Sequence, residues 1–264
     1  MAATYLDTIL DAHRARAARD TRVWRDRIGH VRRSGASFTD ALARDLGHVA
    51  VIAEIKRRSP SQGWLNDELD VAELAEAYVA GGCAALSVLT DADFFSGSSQ
   101  DVAVAASRVE VPVLRKDFTV SANDVLDAAQ MGASAVLLIV AALSDAELAQ
   151  FLEIAHACDL AALVEVHDET EVARALNAGA HVIGVNQRDL RTFEVDPGRA
   201  GALVAGLPPQ VLAVAESGLN SVEDVARVAG AGCDAVLVGE AFVRSAQPRE
   251  LVRAFAAVER RARG

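Results

Sequence analysis

GGCAALSVL (81–89), MGASAVLLI (131–139), NAGAHVIGV (177–185) and AGCDAVLVG (231–239) share one plan: a glycine, a small residue, a short spacer and then an apolar run. Glycine suits the left-handed residue that closes a helix. A short, nearly continuous apolar run is how a strand covered on both faces reads. Each stretch therefore marks the end of one helix and the start of the next parallel strand. Working outward, runs of this kind occur eight times: Val49–Lys56, Ala84–Thr90, Val111–Lys116, Ser134–Val140, Ala161–Val166, His181–Asn186, Val211–Glu216 and Asp234–Gly239. Between them lie helical patterns at Val71–Ala80, Ala122–Gln130, Asp145–Ala157, Glu169–Ala178 and Val222–Ala229, with Gly81, Gly132, Gly179 and Gly230 placed as helix stops. Eight β/α units over residues 49–261 predict an α/β fold, the (β/α)8 barrel. An open doubly wound sheet is the rival. Against it, the turn after the first run, KRRSPSQG (56–63), has no GxGxxG to receive a pyrophosphate.

Residues 1–48 precede the first strand and carry nine arginines and six aspartates, +3 against −14 for the remainder. Tyr5, Leu6, Ile9 and Leu10 make one apolar helical face, and a second helix is expected through the arginine-rich stretch to about residue 33. The arginines read as a solvated face. A sharper reading makes this extension a cover over the C-terminal, active-site face of the barrel, closing a site for an anion. No Gly/Ser-rich linker intervenes, so the whole chain reads as one domain.

Composition narrows the function classes. The 264 residues are 52% hydrophobic with a net charge of −11, which argues against a dedicated nucleic-acid binder. The longest apolar run, Ala135–Leu143, falls far short of a membrane helix. Asp7 and Asp11 interrupt any secretory signal pattern, so a cytoplasmic protein is expected. Cys83, Cys158 and Cys233 form no CxxC pair and read as core residues. The six histidines show no HxH, HxxxH or HExxH spacing, so no metal site is expected.

Only two of the 26 basic residues are lysines, Lys56 and Lys116. A guanidinium stays protonated, whereas an ammonium can exchange its proton, so both lysines are candidates for chemistry. Active sites of such barrels lie at the C-terminal ends of the strands. There the sequence reads Glu54-Ile55-Lys56, Arg115-Lys116-Asp117, Glu165-Val166-His167, Asn186-Gln187-Arg188 and Glu216-Ser217-Gly218. Residues two apart share a face, so Glu54 pairs with Lys56 and Asn186 with Arg188, inward if Ile52 is inward. A ring of rim salt bridges is the plain alternative, but five strands delivering polar groups to one face favour a site. A lysine away from water or beside cations has its pKa lowered and becomes a usable acid, which makes Lys116 a candidate acid. A partly desolvated glutamate moves upward and can serve as a base, which makes Glu165 a candidate base; neither shift follows from the sequence.

Glu216-Ser217-Gly218-Leu219 and Gly239-Glu240-Ala241-Phe242 follow the last two strands, where phosphate-binding barrels offer backbone N–H groups. Glu240 fits there only if its amide donates while its carboxylate points away. Ser59 is available to the same anion. Phe94, Phe95 and Phe118 fall in loops above the second and third strands and suggest a wall for an aromatic substrate, or packing beneath the extension. His167 lies near the site without an evident orienting partner.

IAEIKRRSPSQG (52–63), LSVLTDADFFSGS (86–98), PVLRKDF (112–118), LLIVAAL (137–143), LVEVH (163–167), IGVNQRDLRTFEVD (183–196), AESGL (215–219) and VLVGEAFVR (236–244), in this order, resemble the indole-3-glycerol phosphate synthase family over nearly the whole barrel and its extension. The resemblance implies ring closure of 1-(2-carboxyphenylamino)-1-deoxyribulose 5-phosphate with loss of carbon dioxide and water, a lyase step of tryptophan biosynthesis. It implies that Lys116 protonates the ketone oxygen and that Lys56 holds the anthranilate carboxylate and assists dehydration. Glu165 and Glu54 would serve as base or charge stabiliser, with the final base left open between them. Asn186 and Arg188 would orient the intermediate, with Glu216 and Ser217 close by. Ser59, Gly218, Gly239 and the Glu240 amide would hold the phosphate, while Phe94, Phe118, Leu137 and Leu190 enclose the aromatic ring. Gln187 and Trp64-Leu65-Asn66 depart from the family pattern without removing a catalytic group. The expected partner is one small anion carrying a carboxylate and a phosphate, with no nucleic acid, membrane, metal or cofactor. A monomer is expected, with at most weak association with other enzymes of the pathway.

Three other readings compete. A phosphoribosylanthranilate isomerase would need a cysteine at the end of the first strand, where Glu54 and Lys56 stand. A Schiff-base aldolase could use either lysine. A catalytically silent binding barrel would have no need of an acid, a base and phosphate turns together.

Overall fold

A computed structural model describes residues 4–32, 35–45, 47–189 and 192–263. All eight expected strands form: β1 Ala50–Ile55, β2 Ala85–Leu89, β3 Val113–Lys116, β4 Ala135–Ile139, β5 Ala161–Val166, β6 Val182–Asn186, β7 Leu212–Glu216 and β8 Ala235–Val238. They close into a parallel barrel in sequence order, with β8 returning to β1. Register pairs Leu89 with Lys116, Ile139 with Glu165, and Asn186 with Glu216, so the polar strand ends rise to nearly one level. Alternate residues point inward, while the intervening Ala53, Val88, Leu138, Val164, Val185, Ala215 and Val236 are buried under the helices. Burial on both faces is why these strands read as continuous apolar runs.

The helices are α1 Tyr5–Ala17, α2 Trp24–Arg27, α3 Phe38–Ala43, α4 Val71–Gly81, α5 Ala92–Phe95, α6 Ser99–Arg108, α7 Ala122–Gln130, α8 Asp145–Ala157, α9 Glu169–Asn177, α10 Arg199–Val204, α11 Val222–Gly230, α12 Glu240–Arg244 and α13 Pro248–Ala256. Many start on a side chain that satisfies orphan amides. Thr4, Ser98, Ser121, Ser144 and Ser221 each form a reciprocal capping box with the acidic residue three positions on. Two glycine stops shift by one or two residues. Gly81 and Gly230 remain the last helical residues, and the left-handed positions fall to Gly82 (φ 96°) and Gly232 (φ 100°); Gly132 and Gly179 are left-handed as expected. Cys83, Cys158 and Cys233 are free and buried, and burial pushes the Cys83 and Cys233 thiols up to about 12. No helix among the described residues is long and apolar enough to cross a membrane.

The extension differs most from expectation. Its second helix is a single four-residue turn, α2, pinned to α7 by Arg27 on Asn123 and Asp127 and by Arg22 on Asp127. The arginines there hold the extension to the barrel wall as well as meeting solvent. Only α1 lies over the C-terminal mouth. α3 closes the opposite end, burying Phe38 and Leu42 beside the starts of the strands. Each buried side chain of that size stabilises by roughly 1.5–3 kcal/mol. A short antiparallel hairpin, Arg58–Ser59 with Gly63–Trp64, also occupies the loop after β1, where only a turn was expected.

Candidate active site

The strand ends line one cavity of about 490 Å³, roofed by Tyr5, Leu6 and Ile9 of α1. β1 contributes Glu54 and Lys56, which do share a face: Lys56 Nζ lies 2.7 Å from Glu54 Oε1, and Ser87 Oγ of β2 donates to Glu54 Oε2 at 3.5 Å. β3 contributes Lys116. Its Nζ sits 3.3 Å from Glu165 Oε2 and 3.7 Å from Glu216 Oε2, so one ammonium bridges carboxylates from β5 and β7. Asn186 of β6 donates to the other Glu165 oxygen at 3.1 Å. These carboxylates are almost wholly out of water: Glu165 is 1% exposed and Glu216 2%.

Two glycines make this crowding feasible. A β-carbon at Gly184 would collide with the Glu216 carboxylate, and one at Gly239 with the Glu54 carboxylate and, at 3.0 Å, Lys56 Nζ. Both glycines sit where a neighbouring strand's charged group needs the volume of a side chain. Gly239 was expected at the phosphate turn, whereas Gly184 was not singled out at all. A glycine inside an otherwise bulky strand was the available signal.

The charge states of Lys116 and Glu165 run opposite to what burial alone would give. Burial would lower the Lys116 pKa, but the opposing fields of Glu165, Glu216 and Glu54 prevail and raise it, so the lysine stays a fully charged donor. Burial likewise pushes Glu165 upward, and there Lys116, His167 and the Asn186 hydrogen bond win, so Glu165 lies below its ordinary value. Glu216 is the carboxyl that rises. Burial and the neighbouring Glu165 charge outweigh Lys116 and push it up to about 8. Its Oε1 has no hydrogen-bond partner. Two carboxyls flanking one ammonium are thereby split, one ionised and one protonated at neutral pH.

Around this centre, Ser59, Phe118, Leu137, Arg188, Ser217, Gly218, Gly239 and Glu240 all reach the cavity. Phe94 does not. Phe95 lines the cavity instead, because the short α5 turns consecutive side chains apart, and Phe94 packs edge-on against Tyr5 at 5.8 Å. Leu190 lies outside the described residues. Ser217 and Gly218 both take left-handed backbone conformations (φ 66° and 68°), a costly state for serine. Gln187 braces that turn, its buried side chain donating to the Ser217 carbonyl at 2.8 Å. No side chain caps α12, whose first amides follow Gly239, and the Glu240 carboxylate turns back along the helix toward Arg244 at 3.5 Å. Gly239 and Glu240 at that helix start both line the cavity.

Sequence reasoning missed Ile139 and Leu237, which lie two residues along the strand from Leu137 and Ala235 and could have been found by alternation. Phe193, Val195 and Pro197 come from the loop after β6, whose folded path no local pattern announces. His167 does have an orienting partner: its ring Nδ1 lies 3.0 Å from Glu171, one helical turn on. Among the described residues, His13, Asp91 and Asp117 are spaced as a cation site would be. Asp91 already accepts the Phe94 and Phe95 amides, and Asp117 binds Arg115 and Thr90, so the 2.8 Å His13–Asp91 pair works as a latch holding α1 on the mouth.

The indole-3-glycerol phosphate synthase family model matches residues 6–255. The chain belongs to the indole-3-glycerol phosphate synthase family. Members are lyases of tryptophan biosynthesis. The chain is 47% identical over 252 residues to the indole-3-glycerol phosphate synthase of Mycolicibacterium vanbaalenii, covering 95% of this chain and 93% of that one. It is 50% identical over 213 residues to that of Micrococcus luteus, covering 81% and 80%. Among solved structures, the thiamine phosphate pyrophosphorylase of Pyrococcus furiosus superposes with a TM-score of 0.59 at 16% identity, over 78% of this chain and 93% of that one. That likeness concerns the barrel alone. Membership in the family sets aside the isomerase, aldolase and silent-barrel readings, and no cysteine is among the residues lining the cavity.

Proposed function

We propose that this chain converts 1-(2-carboxyphenylamino)-1-deoxyribulose 5-phosphate to indole-3-glycerol phosphate, carbon dioxide and water. The observation that carries this reading is the Lys116 ammonium held 3.3 Å from Glu165 and 3.7 Å from Glu216, in the same cavity that Lys56 and Arg188 line. Lys116 donates its proton to the ketone oxygen as the aromatic carbon bearing the carboxylate attacks the ketone carbon. Lys56, paired with Glu54, binds that carboxylate until the ring-closed intermediate expels it as carbon dioxide. The remaining hydroxyl then leaves as water. Glu216, holding a proton at neutral pH, protonates it, and ionised Glu165 takes the proton from the adjacent carbon. Asn186 and Arg188 orient the intermediate. Ser59, Gly218, Gly239 and the Glu240 amide hold the phosphate against α12, and Phe95, Phe118 and Leu137 flank the aromatic ring. In this reading the chain acts as one domain, a cytoplasmic monomer, with α1 as part of the substrate site.

The test is direct. Adding the carboxyphenylamino substrate to the purified chain should generate indole fluorescence with release of one carbon dioxide per product. Absence of both with intact, folded protein overturns the reading.

A further inference from the structure

The end of β5 carries a side chain that this mechanism leaves idle. His167 lies two residues beyond Glu165 on the same side of the chain, and its Nε2 faces Glu165 Oε1 at 3.6 Å. That Nε2 is buried and has no hydrogen-bond partner. What holds the ring there is unusual within this molecule. At α1, α6, α7, α8 and α11 the acidic residue at the third helical position folds back onto the backbone of its own cap. At α9, Asp168 caps the Glu171 amide at 2.8 Å, yet the Glu171 carboxylate passes its own cap by. One oxygen accepts both the His167 backbone N–H at 2.8 Å and the ring Nδ1 at 3.0 Å. Glu171 thereby fixes the proton on Nδ1 and aims Nε2 at Glu165.

We propose that His167, oriented by Glu171, is a positioning residue that sets the charge state of Glu165. The inference rests on Glu165 acting as the base in the reaction proposed above. Three groups converge on the Glu165 carboxylate: Asn186 and His167 on one oxygen, Lys116 on the other. No donor reaches Glu216 Oε1. Lys116 lies nearer to Glu165 than to Glu216, Asn186 donates to Glu165 only, and the imidazole 3.6 Å from the same carboxylate adds a further positive field on the same side. The charged groups facing the ring are Glu165 from β5, Glu171 from α9 and Glu216 from β7. Burial works against the imidazolium, but these carboxylates prevail and raise the His167 pKa, so the ring is a cation over the acid side of the working range.

Two measurements test this. In the first, the pH profile of kcat/KM is recorded for wild type, H167Q and E171Q by indole fluorescence. Losing a cation this close should move the acidic limb up by about one pH unit in H167Q. On the falling part of the limb, below the wild-type midpoint, the loss should then exceed the loss at pH 8.5 about tenfold, with a smaller shift of the same sign in E171Q. A limb that stays in place while activity falls equally at every pH is what a packing role gives, and it overturns the proposal. In the second, the His167 ring is titrated by NMR in wild type and in E165Q. Coupling is reciprocal, so the histidine pKa should fall in E165Q. An unchanged titration overturns the pairing whether or not the chain turns over the substrate. An inactive wild type with intact coupling instead faults the proposed reaction and leaves the histidine assignment standing.

Discussion

Asp234 at the N-terminal end of the barrel and Glu216 at the C-terminal end are both buried carboxylates, and their surroundings differ sharply. Asp234 accepts the Ala213 amide at 2.8 Å, Arg263 at 2.6 Å and a short contact from Arg260. Glu216 has one ammonium at 3.7 Å, an oxygen with no hydrogen-bond partner, and a second carboxylate as neighbour. A buried charge with a full set of donors is inert and ties the fold together. One left short of partners keeps a proton that it can release, and that is what chemistry needs. Asp234 precedes β8 and Glu216 ends β7, so in the proposed reading neighbouring strands keep a stabilising charge at one end of the barrel and a reactive one at the other.

This contrast can be broken at either end. The largest effect is expected from K116M, which removes the ammonium shared by Glu165 and Glu216. Turnover should fall by about 10³-fold or more, while substrate still binds through its phosphate. Stopped-flow fluorescence with a binding titration checks it, and full activity would refute the assignment. Next, D234N should leave kcat near wild type but cost about 3 kcal/mol in urea unfolding, because two arginines lose their buried counter-charge. A loss of activity without a loss of stability would contradict the division of labour.

The pH dependence of stability sharpens the contrast further. Glu216 titrates near 8 in the folded protein against an ordinary 4.5, so the native state binds its proton more tightly than the unfolded chain. Stability is therefore fully present below about 4.5, falls as pH rises through that window, and levels off above about 8. E216Q should remove this slope. Relative to the variant, wild type should lose on the order of 2–4 kcal/mol between pH 4.5 and 8.5. Parallel curves from urea denaturation would sink the idea. The smallest expected loss of activity concerns the extension. Deleting residues 1–20 should raise KM about tenfold and, by stripping Leu6 and Ile9, cost on the order of 3 kcal/mol in unfolding, whereas deleting 1–45 also strips Phe38 and Leu42 and should cost roughly twice that.

Strand and helix positions were legible because each depends on its own residues. β5, α7 and α8 fall where the apolar runs and caps place them. The convergence of Glu54, Lys56, Lys116, Glu165, Asn186 and Glu216 was legible too, since strand alternation and the active-site end of a parallel barrel suffice to aim them. Phe95 in place of Phe94 was not, because a one-residue rotation in a four-residue helix leaves no mark on composition. The split path of the extension was hidden for a related reason. Apolar faces at Leu6 and at Phe38 look alike until the barrel supplies two different ends to cover.

Which groups meet was thus written along the chain, as short-range patterns that a closed sheet turns into contacts. Which of them carry protons was decided only in the folded molecule. Lys116 rises rather than falls, and Glu216 rather than Glu165 holds the proton, because those states follow from the sum of burial and of fields from residues distant in sequence. A field summed over a few ångströms exists only once the strands have closed around it.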